Sequence, residues 1–381
     1  EFVRHGAPEE IMYDAKPHIG TDKLSATVKN IRNDIVSLGG DVIFGAKFCG
    51  YDTENGRIKA ISYIKNDTEI TIETDNVILA IGHSARDVFY MLKNRNVTMQ
   101  AKNFSVGVRI EHKQSDLDRS MYGNMSGHPV LPPADYKLSV HDETGRGIYT
   151  FCMCPGGVLV PSETEPETIV MNGMSNSARS GKFANAGVVV QINPEDIPEE
   201  YAGNGAFAGL EFQKDVERKM LEYARAHSDS DNPFTAPAQR MVDFCEGEES
   251  ADLPQTSYKP GVVPAPLHEL LPGVIAERLQ DVFPLVNQKT MRGYYTNDAL
   301  LIGVESRTSS PVRIPRNPRS CEADSFPGLL PCGEGAGYSG GIVSSAIDGI
   351  NCAVAAARSL SGADVEDEPH EGTAGETSEA E

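Results

Sequence analysis

Apolar residues recur at Leu24, Val28, Ile31, Ile35 and Leu38, a spacing that predicts a helix over 23–38, stopped by Gly39-Gly40. Four short alternating segments follow and predict strands at Val42–Phe48, Ile58–Ile64, Glu69–Glu73 and Asn76–Ile81, with turn residues at 52–56 and 65–67. A second helix is expected over 86–95. Beyond Phe104 the pattern changes. Strands are predicted at Phe104–Glu111 and Gly147–Phe151 and an amphipathic helix at Glu211–Ala226, interrupted by proline-rich stretches at 129–133, 161–166, 194–198 and 254–272. After Pro315 a short apolar strand, Gly328–Cys332, leads through a glycine-rich turn into one helix over 341–360. Helix, meander and buried strand early in the chain, and strand, turn and helix at its end, read as two parts of one α/β domain with a second domain inserted between them. The expected division is 1–103, 104–312 and 313–362, followed by a tail at 363–381.

The tail changes the charge picture. The chain carries −21, but residues 363–381 hold eight acidic and no basic residues, which leaves −13 on the rest. That balance argues against nucleic acid and anionic membrane surfaces as partners, and the tail itself reads as disordered solvating sequence. No run of eighteen apolar residues exists to insert into a membrane. The first residues form neither a signal peptide nor an initiator start, so the reading frame is expected to extend upstream. Seven cysteines, an odd and scattered set, do not make a disulfide framework, and a reducing cytoplasm is the simpler home.

Candidate chemistry is densest at Gly333-Glu334-Gly335-Ala336-Gly337-Tyr338-Ser339-Gly340-Gly341. Its Gly-x-Gly-x-x-Gly spacing imitates a dinucleotide fingerprint, but no second strand with an acidic ribose ligand follows, so that reading is rejected. Glycines let a ligand approach the backbone, and a helix start offers unpaired N–H groups and partial positive charge. The edge of a flavin that gains negative charge on reduction suits that end, and Glu334 is placed to accept bonds from sugar or ribityl hydroxyls. A second segment, Val77 to Arg86, ends a buried strand in Ala80-Ile81-Gly82-His83, where the chain can pass tightly beside a cofactor. Cys152-Met153-Cys154-Pro155-Gly156-Gly157 admits three readings: a loop shaping a flavin face, structural cysteines, or a redox or metal role. Arg307, Ser309 and Arg313 offer charge and hydroxyls to an anionic or carbonyl substrate, or form a solvated hinge. His18 is a further candidate at the flavin border. Lys137, Asn172, Ser175 and Arg179 could line a cleft, though ordinary packing or solvation is the plainer reading. No catalytic residue and no metal site is assigned.

Taken together, Lys16–Thr21, Ala80–Asp87, Phe151–Gly157, Arg307–Arg313 and Gly333–Ile342 resemble the FAD-dependent dehydrogenase-like proteins of bacteria and plastids. These are two-dinucleotide-binding-domain flavoproteins, described as NAD(FAD)-utilising dehydrogenases of unassigned substrate. The resemblance implies a glutathione-reductase-like FAD/NAD(P)-binding flavoprotein fold with an inserted α+β substrate domain. It implies noncovalent FAD, with Ala46, Lys47 and Phe48 by the adenine and Ala80, Ile81, Gly82 and His83 as the second motif. Gly333, Glu334 and Gly335 would lie near the ribityl chain, and Gly340, Gly341 and Ile342 at the isoalloxazine edge. The family's N-terminal Gly-x-Gly-x-x-Gly unit for the pyrophosphate is missing from this sequence and is expected upstream of Glu1. The implied activity is an FAD-dependent oxidoreductase of unknown small-molecule substrate, with NAD(P)H as a transient donor at the flavin face. A non-catalytic flavin-binding module or sensor is the alternative, and a zinc or thiol-relay protein a distant third. The implied compartment is the cytoplasm, or a plastid if the source is a plant or alga.

Overall fold

Residues 1–142, 144–162 and 165–362 are described by a computed structural model; the acidic segment 363–381 lies outside the described residues. Contacts group the chain into two units. Among the described residues, one comprises Glu1–Val42, Val106–Gln191 and Gln213–Ser306; the other comprises Ile43–Ser105, Ile192–Phe212 and residues 307–362. Among the described residues no helix is long and apolar enough to cross a membrane.

In the second unit, Lys47–Glu54, Arg57–Lys65 and Thr68–Glu73 form an antiparallel meander. Its turns explain the register. Asn55-Gly56 and Asn66-Asp67 are two-residue connections in which all four residues have positive φ, the twist-matched geometry that Asn, Asp and Gly adopt most readily. Val77–Leu79 then pairs in parallel with Leu329–Pro331, so strands some 250 residues apart in sequence lie side by side, Val77 opposite Leu329 and Leu79 opposite Pro331. The helix Arg86–Asn94 buries Val88, Phe89 and Leu92 against Tyr51, Ile58, Leu79 and Leu329. The expected strand over Val42–Phe48 starts only at Lys47, because the chain turns at Gly45 and Val42, Ile43 and Phe44 lie exposed ahead of it. The strand expected over Asn76–Ile81 is confined to Val77–Leu79, where its partner ends. The last helix, Ile342–Ser361, buries only Asp348 and Cys352, and Ile342, Val343, Ile347, Ile350 and Val354 are exposed.

The first unit is built on an eight-stranded mixed sheet. Its central order is Ala236–Arg240, Leu300–Glu305, Phe104–Lys113, Phe183–Ile192 and Gly147–Pro161. Three of these strands are absent from the sequence expectation. Leu300–Glu305 is buried at every position and therefore has no alternation to read. Phe183–Ile192 and Ala236–Arg240 are nearly as buried. The strand expected to end at Phe151 continues to Pro161 through two register shifts against Phe183–Ile192. Helix Thr21–Ser37 forms where expected, yet Val28 and Ile35 of its apolar series are exposed and Thr27 is its buried residue.

Candidate functional site

The parallel strand pair sets the geometry of the glycine-rich loop. Leaving the strands, Cys332 N–H donates to Leu79 C=O at 3.0 Å, and the two chains then turn beside each other. A Cβ on Gly335 would lie 2.3 Å from Gly82 O, so only glycine permits this approach. His83 Nδ1 lies 3.2 Å from Glu334 Oε2, but without the alignment of a hydrogen bond, and His83 Nδ1 and Ser339 Oγ are buried atoms without a hydrogen-bond partner. The structure thus brings Gly82 and His83 together with Glu334 and Gly335. Beyond them the backbone is open. Nothing lies within 4 Å of a Cβ on Gly82 or Gly340, and on Gly341 such an atom would meet only Ser344 Oγ, at 3.9 Å. Gly341 caps the last helix in extended backbone, and its N–H donates to Ser344 Oγ at 3.2 Å; the N–H groups of the first helical turn have no acceptor within the helix. Ala80 and Ile342 are exposed, Ile81 half-buried. Of the three residues expected by the adenine, Ala46 and Phe48 are half-buried, while Lys47 pairs with Asp87 at 2.8 Å, at the start of the helix that follows the second motif.

Buried side chains brace this loop from behind. Asp348 Oδ2 accepts the Gly333 N–H at 2.7 Å and a bond from Arg316 Nη1 at 3.1 Å. Burial raises the Asp348 pKa, but Arg316 and the Gly333 amide outweigh it and hold the carboxylate below its usual range. Arg316 also stacks on Tyr338, 3.8 Å from the ring centre, and Tyr338 OH donates to Ile314 O at 3.2 Å. Cys332, Asp348 and Cys352 bring ligand-type atoms within 4.8 Å of one another, but Arg316 Nη1 sits 3.2 Å from Cys352 Sγ, so the guanidinium already supplies the cation there.

In the other unit the candidates Cys152 and Cys154 border a buried ion pair. Arg109 and Glu305 are almost wholly shielded from solvent, with Arg109 Nη1 3.1 Å from Glu305 Oε2. Arg109 Nε and Nη2 donate to Asn185 Oδ1 at 3.0 and 2.9 Å, and Nη2 also donates to Cys152 C=O at 2.6 Å and reaches Cys154 Sγ at 3.5 Å. Burial raises the Glu305 carboxyl to about 7 against the opposing pull of Arg109. Interaction with Cys154 and the Arg109 charge lower Cys152 to about 5, and Cys154 moves upward.

The remaining candidates are dispersed. His18 Nε2 bonds Asn176 C=O at 3.1 Å, fastening the Lys16–Thr21 segment to the loop that carries Ser175, whose hydroxyl donates to Pro155 C=O at 2.7 Å. Arg307 is buried and Ser309 half-buried, while Arg313 is exposed, 5.3 Å from the Tyr338 ring centre. Lys137 is exposed, and Asn172 and Arg179 are half-buried. Sequence reasoning missed Arg109, Glu305, Asn185, Arg316 and Asp348. A signal existed for two of them, since Arg109 is a charge inside the apolar run Val106–Ile110 and Glu305 one that directly follows the apolar run Leu300–Val304.

Comparison with known proteins agrees with a flavin connection. The family model described as FAD-dependent protein, C-terminal domain-like matches residues 103–308. An uncharacterized protein of Clostridium beijerinckii is 42% identical over 357 residues, which are 93% of this chain and 64% of that protein, so the chain spans less than two thirds of its relative. A triple mutant of the flavin-dependent brominase Bmp2 overlaps 45% of this chain and 33% of its own at 8% identity, with a TM-score of 0.26, too low to bear on the fold. Cys152, Cys154 and Arg307 fall within the family match; every residue expected to hold the cofactor falls outside it.

Proposed function

The chain belongs to the family described as FAD-dependent protein, C-terminal domain-like, and from that premise we propose that it is part of an FAD-dependent oxidoreductase acting on a small molecule. The observation that carries the reading is the close approach of Gly335 to the Gly82 backbone, with Gly82, Gly340 and Gly341 facing open space. Two buried polar atoms, His83 Nδ1 and Ser339 Oγ, have no hydrogen-bond partner, and three glycine positions leave space that any side chain would fill. These residues fit the group. Gly82 and Gly340 would admit it to the backbone, Glu334 would accept bonds from its polyol chain, and the helix start at Gly341 would favour negative charge at its edge. When bound, FAD supplies hydride or single-electron transfer. The chain's own part is to orient it and to keep the loop fixed through Asp348 and Arg316. NAD(P)H as electron donor belongs to the same proposal. So does a further strand–loop–helix unit for the pyrophosphate; the exposed apolar side of the last helix offers a surface for it, and the relative's extra length leaves room.

Gly341→Leu tests the reading cleanly. The position is extended and open, so the variant should fold with an unchanged unfolding midpoint. FAD binding, read from flavin fluorescence, should weaken by about tenfold or more, on the order of 1.4 kcal/mol. Unchanged affinity would remove the support for this site. Bleaching of the yellow protein by NAD(P)H, as against dithionite alone, then tells an oxidoreductase from a flavin-binding module.

A further inference from the structure

The strand Gly147–Pro161 is interrupted where its two cysteines stand. Opposite Phe183–Ile192, Phe151 faces Gly187 and Cys154 faces Asn185, so two residues, Cys152 and Met153, oppose the single Ala186. Gly157 faces Phe183, and an extra residue again intrudes at Pro155-Gly156. A pair of bulges thus brackets the cysteines, and bulges are the device by which strands re-aim side chains. Cys152 takes a left-handed φ of 47°, a conformation costly for a residue with a Cβ. In a regular strand, residues two apart are separated by about 6.6–6.8 Å at Cα, the far limit for disulfide formation. Here the distortion folds the segment back on itself, so that Cys154 Sγ lies 3.5 Å from Cys152 C=O.

The neighbourhood holds that distortion in place. Gly156 N–H donates to Gln114 Oε1 at 2.7 Å and Gly156 C=O accepts from Gly181 N–H at 2.9 Å, while a Cβ on Gly156 would fall 1.8 Å from Arg179 O. Arg109 Nη2 binds Cys152 C=O and lies against Cys154 Sγ. Asn185, wholly buried, turns Oδ1 to Arg109 and keeps its Nδ2 without a partner. Cys152 is exposed and Cys154 buried. One exposed cysteine, one buried cysteine whose sulfur lies against its neighbour's carbonyl and a fixed cation bonded to both are the arrangement of an attacking and a resolving thiol.

We propose that Cys152 and Cys154 are a redox-active pair that exchanges with low-molecular-weight disulfides, Cys152 attacking and Cys154 resolving. In the first step the Cys152 thiolate bonds to one sulfur of R–S–S–R, whose S–S bond breaks and releases R–S⁻. Cys154 gives its proton to that thiolate, and its sulfur then bonds to Cys152 Sγ and expels the second R–S⁻, which takes a proton from water. Two thiols and one disulfide become one protein disulfide and two R–SH, with two electrons passing to the small molecule; the sequence is reversible. Arg109 stabilises the sulfur anions, and its positive charge favours the reduced pair. No flavin enters these steps, so the pair is tested separately from the FAD site.

The protein is incubated with excess glutathione disulfide, quenched with acid and alkylating agent, and mapped by mass spectrometry. The peptide carrying both cysteines should acquire an internal disulfide through a transient glutathione adduct at Cys152, and reduced glutathione should restore it. Cys49 and Cys245, both half-buried, serve as internal controls that react about tenfold more slowly or less. Cys154→Ser should keep the adduct at Cys152, and Cys152→Ser should abolish both products. A wild-type protein that holds a lasting adduct at Cys152, or modifies Cys152 no faster than Cys245, overturns the proposal whether or not either variant folds.

Discussion

Arg109 and Glu305 face each other in the middle of a sheet, where a lone charge would cost several kcal/mol and a pair persists only when its remaining donors and acceptors are occupied. Asn185 Oδ1 and Cys152 C=O occupy the donors of Arg109. Glu305 keeps a carboxyl raised from 4.5 to about 7, chiefly by burial. Its linkage to folding follows. Below about 4.5 the group is protonated in both folded and unfolded chains and contributes in full. As pH rises toward about 7 the unfolded chain ionises first, and the contribution is lost. Cys152, with its depressed pKa, acts in the opposite sense, so the test is a difference between wild type and Glu305→Gln. From pH 5 to pH 8 the wild type should lose about 1–3 kcal/mol relative to the variant, read from urea unfolding. A wild type that gains stability on the variant over that range would mean that Arg109, not burial, governs Glu305. None of this was legible beyond the oddity of charges within or directly after apolar runs. Asn185 and Cys154 become neighbours of Arg109 only through sheet pairing, and no local pattern marks a pairing between residues so distant in sequence.

At the scale of elements, the meander and the loops around it were the readable part. Asn55-Gly56 and Asn66-Asp67 announce tight turns by residue type alone, and the helix Arg86–Asn94 follows its apolar spacing. Central strands such as Leu300–Glu305 escaped, since a strand covered on both faces carries no period of two. The glycine-rich loop was legible as a place of close approach, but not which glycines approach what. Gly335 is pressed against Gly82 O, whereas Gly341 faces open space. The two positions should therefore respond differently. Gly335→Ala forces the Leu79–His83 turn and the loop apart and should cost about 1–3 kcal/mol of stability by denaturant unfolding, with or without flavin. Gly341→Leu should cost little in stability. Equal midpoints for Gly335→Ala and the parent protein would show that the contact is not tight in solution.

Across the whole chain, the family match and the expected cofactor residues occupy different stretches. Residues 103–308 carry the match, and the Ala80–His83 and Gly333–Ile342 segments flank it. Motif order therefore identified the connection to FAD, while the chemistry of the intervening sheet had to come from tertiary contacts. FAD bound only by the folded state stabilises by mass action, about 2.7 kcal/mol at a hundred times its Kd. If the helix start and the Ala80–His83 turn hold it, slowed amide exchange should concentrate at 79–83 and 333–343, where open backbone becomes covered. The last helix is the sensitive reporter: its first turn is exposed, with Ile342 and Val343 more than half accessible, so its amides should exchange fast without ligand. Hydrogen-exchange mass spectrometry with and without FAD measures this directly. Protection that spared 333–343 would place the flavin elsewhere and take Gly340 and Gly341 out of its site.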